Sequence, residues 1–315
     1  MTSDTHTAVV AVGGNALSPA GESATIENQF RHSRQALVPV LAFVRAGWRV
    51  AVVHGNGPQV GDALLRNETS RHQVSELPLG VLVAATAGSI GYMIQQSLQN
   101  ALAREGIDRQ AVTLMTQVVV DADDATGMEP RKFVGRPIDG RTAAELRAEG
   151  VNVGQDSRGH LRRRVASPSP LRIVESALAR ELVDSGHIVI AAGGGGTPVC
   201  EHPTLGLEGV DAVVDKDLAA ALLAREIRAS TLVSLTDVDA VYRDWGTPDA
   251  RPLRQLTTAE ARALIDEGQV AKGSMGPKLL AALGFVEESG GRAIIAALED
   301  AEGAMRGEAG TLIIP

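Results

Sequence analysis

The sequence predicts an α/β protein built on a largely parallel β-sheet with helices on both faces. Short apolar, β-branched runs alternate along the chain with longer Ala- and Leu-rich amphipathic stretches, the order expected of successive βαβ units. Glycine-rich segments follow several of the runs, in the place where an open α/β sheet holds its ligands.

Taken in order, the strand-like runs cover residues 8–12, 50–53, 111–120, 188–192, 212–214, 231–235, 293–296 and 311–314. Helical periodicity covers 34–45, 91–104, 174–184, 217–225, 258–267 and 276–288. The stretch 121–170 breaks this rhythm: it is polar, rich in Arg, Gly and Pro, and ends in Ser167-Pro168-Ser169-Pro170. A bare loop of that length is improbable inside a compact domain. It reads as a small inserted subdomain with its own helix over 142–149 and an extended return.

The totals suit one large domain, or two lobes sharing a sheet, in a chain of 315 residues. Hydrophobic residues at 44% allow a sizeable core, and with aromatics at only 3% that core is built from Ala, Val, Leu and Ile. A net charge of −8 argues against a nucleic-acid or anionic-membrane partner. The single cysteine, Cys200, forms no internal disulfide, which fits a reducing compartment. No signal peptide and no run of about 20 apolar residues is visible, so the expectation is a cytoplasmic protein.

Lysine usage carries more information. Only Lys132, Lys216, Lys272 and Lys278 occur, against 26 arginines (30 basic residues minus 4). In so Arg-biased a chain, the remaining lysines mark candidate positions where a compact ammonium is needed and a guanidinium fork does not fit. Lys272 reads as a chance survivor at the surface.

Four glycine-rich segments lie at strand ends or helix starts: Gly13-Gly14-Asn15-Ala16, His54-Gly55-Asn56-Gly57-Pro58-Gln59, Gly193–Gly196, and Gly273-Ser274-Met275-Gly276-Pro277-Lys278. Such turns let backbone N–H groups converge on phosphate oxygens, with a helix dipole behind them. One alone would be a tight turn; four favour phosphate handling. There is no Gly-Lys dipeptide, hence no Walker A loop, and no G-x-G-x-x-G fingerprint. Asp215-Lys216-Asp217, after a strand-like run, offers an ammonium to a transferring phosphoryl group with a carboxylate to hold it; the alternative is an acidic helix N-terminus stabilised by its dipole. Asp237-Val238-Asp239-Ala240-Val241-Tyr242 either borders a nucleotide or forms an Asp-capped turn. His54 carries no proton-transfer role, and Arg162-Arg163-Arg164 reads as a solvated basic face.

These blocks, together with 9–17, 53–61, 90–98 and the run Gly193-Gly194-Gly195-Gly196-Thr197-Pro198-Val199, resemble the carbamate kinases of the amino-acid-kinase superfamily, in order and over nearly the whole chain. The resemblance implies an open αβα sandwich with a central, mostly parallel sheet and a protruding subdomain. Residues 1–190 would form an acceptor lobe for carbamate or carbamoyl phosphate, with 121–170 inserted, and 191–315 a lobe for ATP. It also implies a homodimer working in the ATP-forming direction of arginine catabolism by the deiminase pathway. Carried over residue by residue, Gly13, Gly14, Asn15, Gly55, Asn56 and Gly57 would hold the acceptor and the transferring phosphate. Lys132 would come from the subdomain, and Lys216 and Lys278 would lie on the phosphates, with Asp217 orienting them. Gly194, Gly195, Asp215, Thr236, Asp237, Val238, Tyr242, Met275 and Gly276 would border ATP or ADP. Mg2+ would be held mainly by the nucleotide's phosphates, with no metal ligands from the protein. Where relatives show Thr-Lys-Pro-Ile-Gly and Ser-Gln-Gly, this chain has Arg131-Lys132-Phe133-Val134-Gly135 and Thr86-Ala87-Gly88. Both departures lie on the acceptor side, so another carboxylate or phosphonate acceptor, or a non-catalytic nucleotide binder, stands as the alternative.

Overall fold

Along the strand Thr7–Val12, Val9 and Ala11 enter one apolar cluster while Ala8, Val10 and Val12 enter another. That alternation is why the run is apolar without a polar face: side chains pointing both ways are covered. A computed structural model describes residues 6–19, 21–156, 158–270 and 275–315. Its main sheet has eight strands, in the order Gln255–Thr257, Thr311–Ile314, Arg292–Ala297, Thr231–Thr236, Thr7–Val12, Arg49–His54, Ile188–Ile190 and Ala111–Thr113. The six from Arg292–Ala297 to Ala111–Thr113 run parallel; Thr311–Ile314 is antiparallel to its neighbour Arg292–Ala297.

One face of the sheet is covered by the helices Ser176–Asp184, Lys216–Glu226 and Met275–Ser289, through residues such as Val183, Leu223 and Phe285. Val38–Arg45 and Leu79–Glu105 cover the other, through Phe43, Ile94 and Leu102. Each fully buried large side chain of this kind contributes about 1.5–3 kcal/mol of burial. The chain leaves the central strand Thr7–Val12 toward Arg49–His54 on one side and comes back to its other side with Thr231–Thr236. The C-terminal end of Thr7–Val12 is therefore a topological switch point, where open α/β sheets form their ligand crevice.

The segment 121–170 holds a separate three-stranded antiparallel sheet, Lys132–Ile138, Leu161–Val165 and Val153–Gln155, with the helix Gly140–Ala148. Its small core is Ala143, Leu146 and Val153. A second sheet joins Gln117–Val120 to Pro170–Ile173 and to the hairpin Thr197–His202 with Gly206–Gly209.

Several expected elements differ. The run 111–120 is two strands in two sheets, Ala111–Thr113 and Gln117–Val120. Residues 212–214 form no strand; they are apolar because Val213 and Val214 are sealed between clusters, while the backbone of Val213 donates to Ala166. The helix expected over 34–45 is two, Ile26–Ala36 and Val38–Arg45, separated at Leu37 just ahead of Pro39. The helix expected from 91 begins at Leu79. Gly80, Gly88 and Gly91 weaken its helical signature, and Gly80 and Gly91 are small because Val210 and Thr113 press against them. The helix Gly57–Ser70 escaped prediction behind its glycine-rich start.

Candidate active site

Two helices begin at the switch point with open N-termini. Gly13 precedes Gly14–Leu17 and Asn56 precedes Gly57–Ser70, and neither supplies a side-chain cap. Among the described residues the N–H groups of Gly14 and Gly57 are thus left open to an anion, while Pro58 has none to give and Ala16 donates to Gly13. The two turns touch: a Cβ on Gly55 would lie 2.8 Å from Gly14 N and 3.1 Å from Lys216 Cδ. Glycine is required there by proximity, and the same contact places the Lys216 side chain beside the paired turns.

The helix Lys216–Glu226 starts differently, because its N-cap is filled by its own sequence. Asp215 Oδ1 accepts from the backbone N–H of Asp217 at 2.8 Å. Around this cap the three lysines gather on two carboxylates. Lys132 Nζ, from the subdomain, donates to Asp215 Oδ2 at 2.7 Å. Lys216 Nζ donates to Asp217 Oδ1 at 2.7 Å and Lys278 Nζ to Asp217 Oδ2 at 2.9 Å.

Burial makes these pairs electrostatically strong. Desolvation alone would raise the Asp217 carboxyl, but Lys216 and Lys278 outweigh it and keep it below the usual range. Desolvation works against the Asp215 carboxylate too, and Lys132 more than offsets it. The two ammoniums on Asp217 respond in opposite senses. Burial lowers Lys216 to about 8, with repulsion from Lys278 adding to it. For Lys278, burial is outweighed by Asp217 and the group moves upward. One carboxylate cannot fully compensate two buried cations, and the deficit falls on Lys216.

The remaining predicted positions divide between this cluster and two flanks. Gly194 and Gly195 are buried, with Gly194 against the Asn56 side chain and Gly195 against Val214; the turn backs the acceptor-side loop. Thr236 ends the strand Thr231–Thr236, with its hydroxyl 3.1 Å from Asp237 Oδ1. Val238 is half-buried, and Tyr242 donates to Asp239 at 2.9 Å and stands edge-on to the exposed Trp245. Met275 and Gly276 open the helix that carries Lys278. The side chain of Asn15, and Lys272, Gly273 and Ser274, lie outside the described residues. His54 is buried at the root of the Gly55 turn, its Nδ1 3.1 Å from Gly55 O, and burial holds it neutral with a pKa of about 4.

Sequence reasoning missed three features of this region. The subdomain docks on the helix Gly57–Ser70 by an Arg163–Glu68 ion pair, so the predicted solvated basic face is partly spent on docking. Gly61 and Gly135 meet backbone to backbone in the same contact. Thr86 holds the side chain of Asn56. Partners so far apart in the chain leave no local signature.

The sequence pattern of the amino acid kinase family fits residues 6–297. A carbamate kinase of Pyrococcus horikoshii is 43% identical over 310 residues, covering 98% of each chain. The chain belongs to the amino acid kinase family, among its carbamate kinases. Solved carbamate kinases share the fold over the full length. The carbamate kinase from Giardia lamblia bound to citric acid superposes with a TM-score of 0.93 at 36% identity, covering 99% of both chains. The same enzyme bound to AMP-PNP gives 0.90 at 37% identity, again over 99% of both.

Proposed function

We propose that the protein transfers a phosphoryl group reversibly between ATP and carbamate, yielding ADP and carbamoyl phosphate. The observation that carries this reading is the convergence of three ammoniums and two uncapped helix N-termini at the switch point, in a chain alike over its whole length to carbamate kinases. Phosphoryl transfer asks for positioning and charge stabilisation rather than covalent chemistry from the protein.

In the ATP-forming direction, a β-phosphate oxygen of ADP attacks phosphorus as the bond from phosphorus to the carbamate oxygen breaks, and carbamate leaves as an anion. No proton has to move. The turns Gly13-Gly14-Asn15 and Gly55-Asn56-Gly57 hold the acceptor and the moving phosphoryl oxygens through the N–H groups the fold leaves unbonded, that of Gly55 being spent on Val12. Lys216 and Lys278, kept in place by Asp217, lie along the phosphates before the reaction starts. Lys132 supplies a third charge from the subdomain over the acceptor. Gly194, Gly195, Asp215, Thr236, Asp237, Val238, Tyr242, Met275 and Gly276 are assigned to the border of the nucleotide.

The acceptor side is assigned to residues 1–190 and the nucleotide side to 191–315. Within the latter, the Thr197–Gly209 hairpin packs back on the first half through Gln117–Val120. The donor set fits phosphates better than a bare metal: Asp215 and Asp217 are already engaged by lysines. Mg2+ would enter on the nucleotide and supply charge neutralisation there. The ATP-forming direction in arginine catabolism, a homodimer and a cytoplasmic location complete the proposal and rest on the family. No helix among the described residues is long and apolar enough to cross a membrane.

The test is coupled ATP formation from carbamoyl phosphate and ADP, with acetyl phosphate run in parallel. The expected result is rapid ATP formation from carbamoyl phosphate. ATP from acetyl phosphate alone, or from neither, would overturn carbamate as the acceptor.

A further inference from the structure

Asn56 stands at the centre of the acceptor-side turn, yet its side chain points away from the crevice. Only 2% of the residue is exposed, and its amide is pressed beneath Gly194. The amide nitrogen donates to Thr86 Oγ1 at 3.0 Å, from the long helix Leu79–Glu105. The direction of this bond is fixed by its surroundings. Thr86 Oγ1 also lies 2.9 Å from the carbonyl oxygens of Leu82 and Val83, which only accept. The hydroxyl proton is used there, so a lone pair faces Asn56 and the Asn56 NH2 group must be the donor.

The rest of the turn is tied down as well. The N–H of Gly55 donates to Val12 O at 3.0 Å, and the Asn56 carbonyl accepts from the N–H of Val60 at 2.8 Å. The backbone N–H of Asn56 has no acceptor among the described residues. Its nitrogen lies beside the Gly13–Gly14 turn, 3.4 Å from where a Cβ on Gly14 would stand. A buried N–H without a partner is rare in folded proteins, and this one sits where the uncapped helices converge.

We infer that Thr86 is a positioning residue, which acts through the Asn56 side chain to hold the Asn56 backbone N–H on the oxygens of the transferring phosphoryl group. The inference rests on the phosphotransfer reading above. Thr86→Val removes the hydroxyl while keeping the branched shape, and Thr86→Ser restores the hydroxyl without the methyl group. Misplacement of one donor lowers kcat, on the order of 10- to 100-fold, because the interaction is made most fully in the transition state. KM for ADP, set on the other flank, stays unchanged.

The experiment measures kcat and both KM values for coupled ATP formation by the wild type, Thr86→Val and Thr86→Ser. Wild-type activity checks the phosphotransfer reading independently. The expected outcome is a loss of kcat in Thr86→Val, an unchanged KM for ADP and recovery in Thr86→Ser. Wild-type kcat in Thr86→Val, or equal loss in both variants, overturns the inference. Should Thr86→Val not fold, the wild type still decides. Its Asn56 backbone amide resonance must move on titration with inorganic phosphate, and a resonance that stays put contradicts the assignment.

Discussion

In the body of the molecule Phe43, Ile94, Leu223 and Phe285 are sealed on the two faces of an eight-stranded sheet, whereas the buried core of the inserted subdomain is Ala143, Leu146 and Val153. The subdomain is seated on the body by one small apolar contact, Val134 against Val60, Val83 and Val213, and by charge. Arg163 pairs with Glu68, Arg136 lies 3.4 Å from Asp62 and Arg71 lies 3.2 Å from Glu149, all between subdomain and first half. Toward the second half it offers Lys132 to Asp215 at 2.7 Å and Arg158 to Asp237 at 4.0 Å. The same contrast divides the three lysines. The side chains of Lys216, Lys278 and Asp217 are 13%, 8% and 5% exposed, against 23% and 25% for Lys132 and Asp215. Two charges belong to the body of the molecule, and the third is delivered by a part seated through a small apolar cluster and several ion pairs.

Asp217→Asn should break this contrast with the largest effect. It strands two buried ammoniums, and removing one partner of a buried pair costs about 3–5 kcal/mol. Urea unfolding measures the loss, and a change below about 1 kcal/mol would show the cluster to be wetter than described. Lys132→Met should separate activity from stability. Its pair is less buried than the Asp217 cluster, so unfolding changes by less than for Asp217→Asn, while turnover falls on the order of tenfold, less than for a buried donor. Raising the salt concentration should reproduce part of that turnover loss in the wild type.

A smaller effect comes from pH. The Lys216 ammonium is needed and its pKa is lowered to about 8 by burial. Its charge is present below that value and is lost above it. The free-enzyme parameter kcat/KM for carbamoyl phosphate should therefore be level below pH 8 and decline above. A profile flat to pH 10 would mean that Lys216 stays charged in the free protein.

The fold was legible because its signal is local. Runs such as 8–12 and 231–235 announce buried parallel strands without reference to any partner. The errors came where burial mimicked a ladder, at 212–214, and where glycines required by neighbours hid helices, Gly55 ahead of Gly57–Ser70 and Gly80 within Leu79–Glu105. In the site, the scarcity of lysine drew attention to Lys132, Lys216, Lys272 and Lys278, and the motifs and the family resemblance narrowed these to Lys132, Lys216 and Lys278 before any geometry was known. What stayed hidden was pairing: that Lys132 lands on Asp215, that Lys216 and Lys278 share Asp217, and that Asn56 turns its side chain to Thr86. Those contacts join residues brought together only by the folded sheet.

The central claim is that ammoniums fixed beside the paired glycine turns drive the transfer. Coupled ATP formation by Lys216→Met, with its fold checked by circular dichroism, tests this most directly. Loss of turnover by about 10²- to 10³-fold with an intact spectrum is the predicted result; turnover near that of the wild type would contradict it.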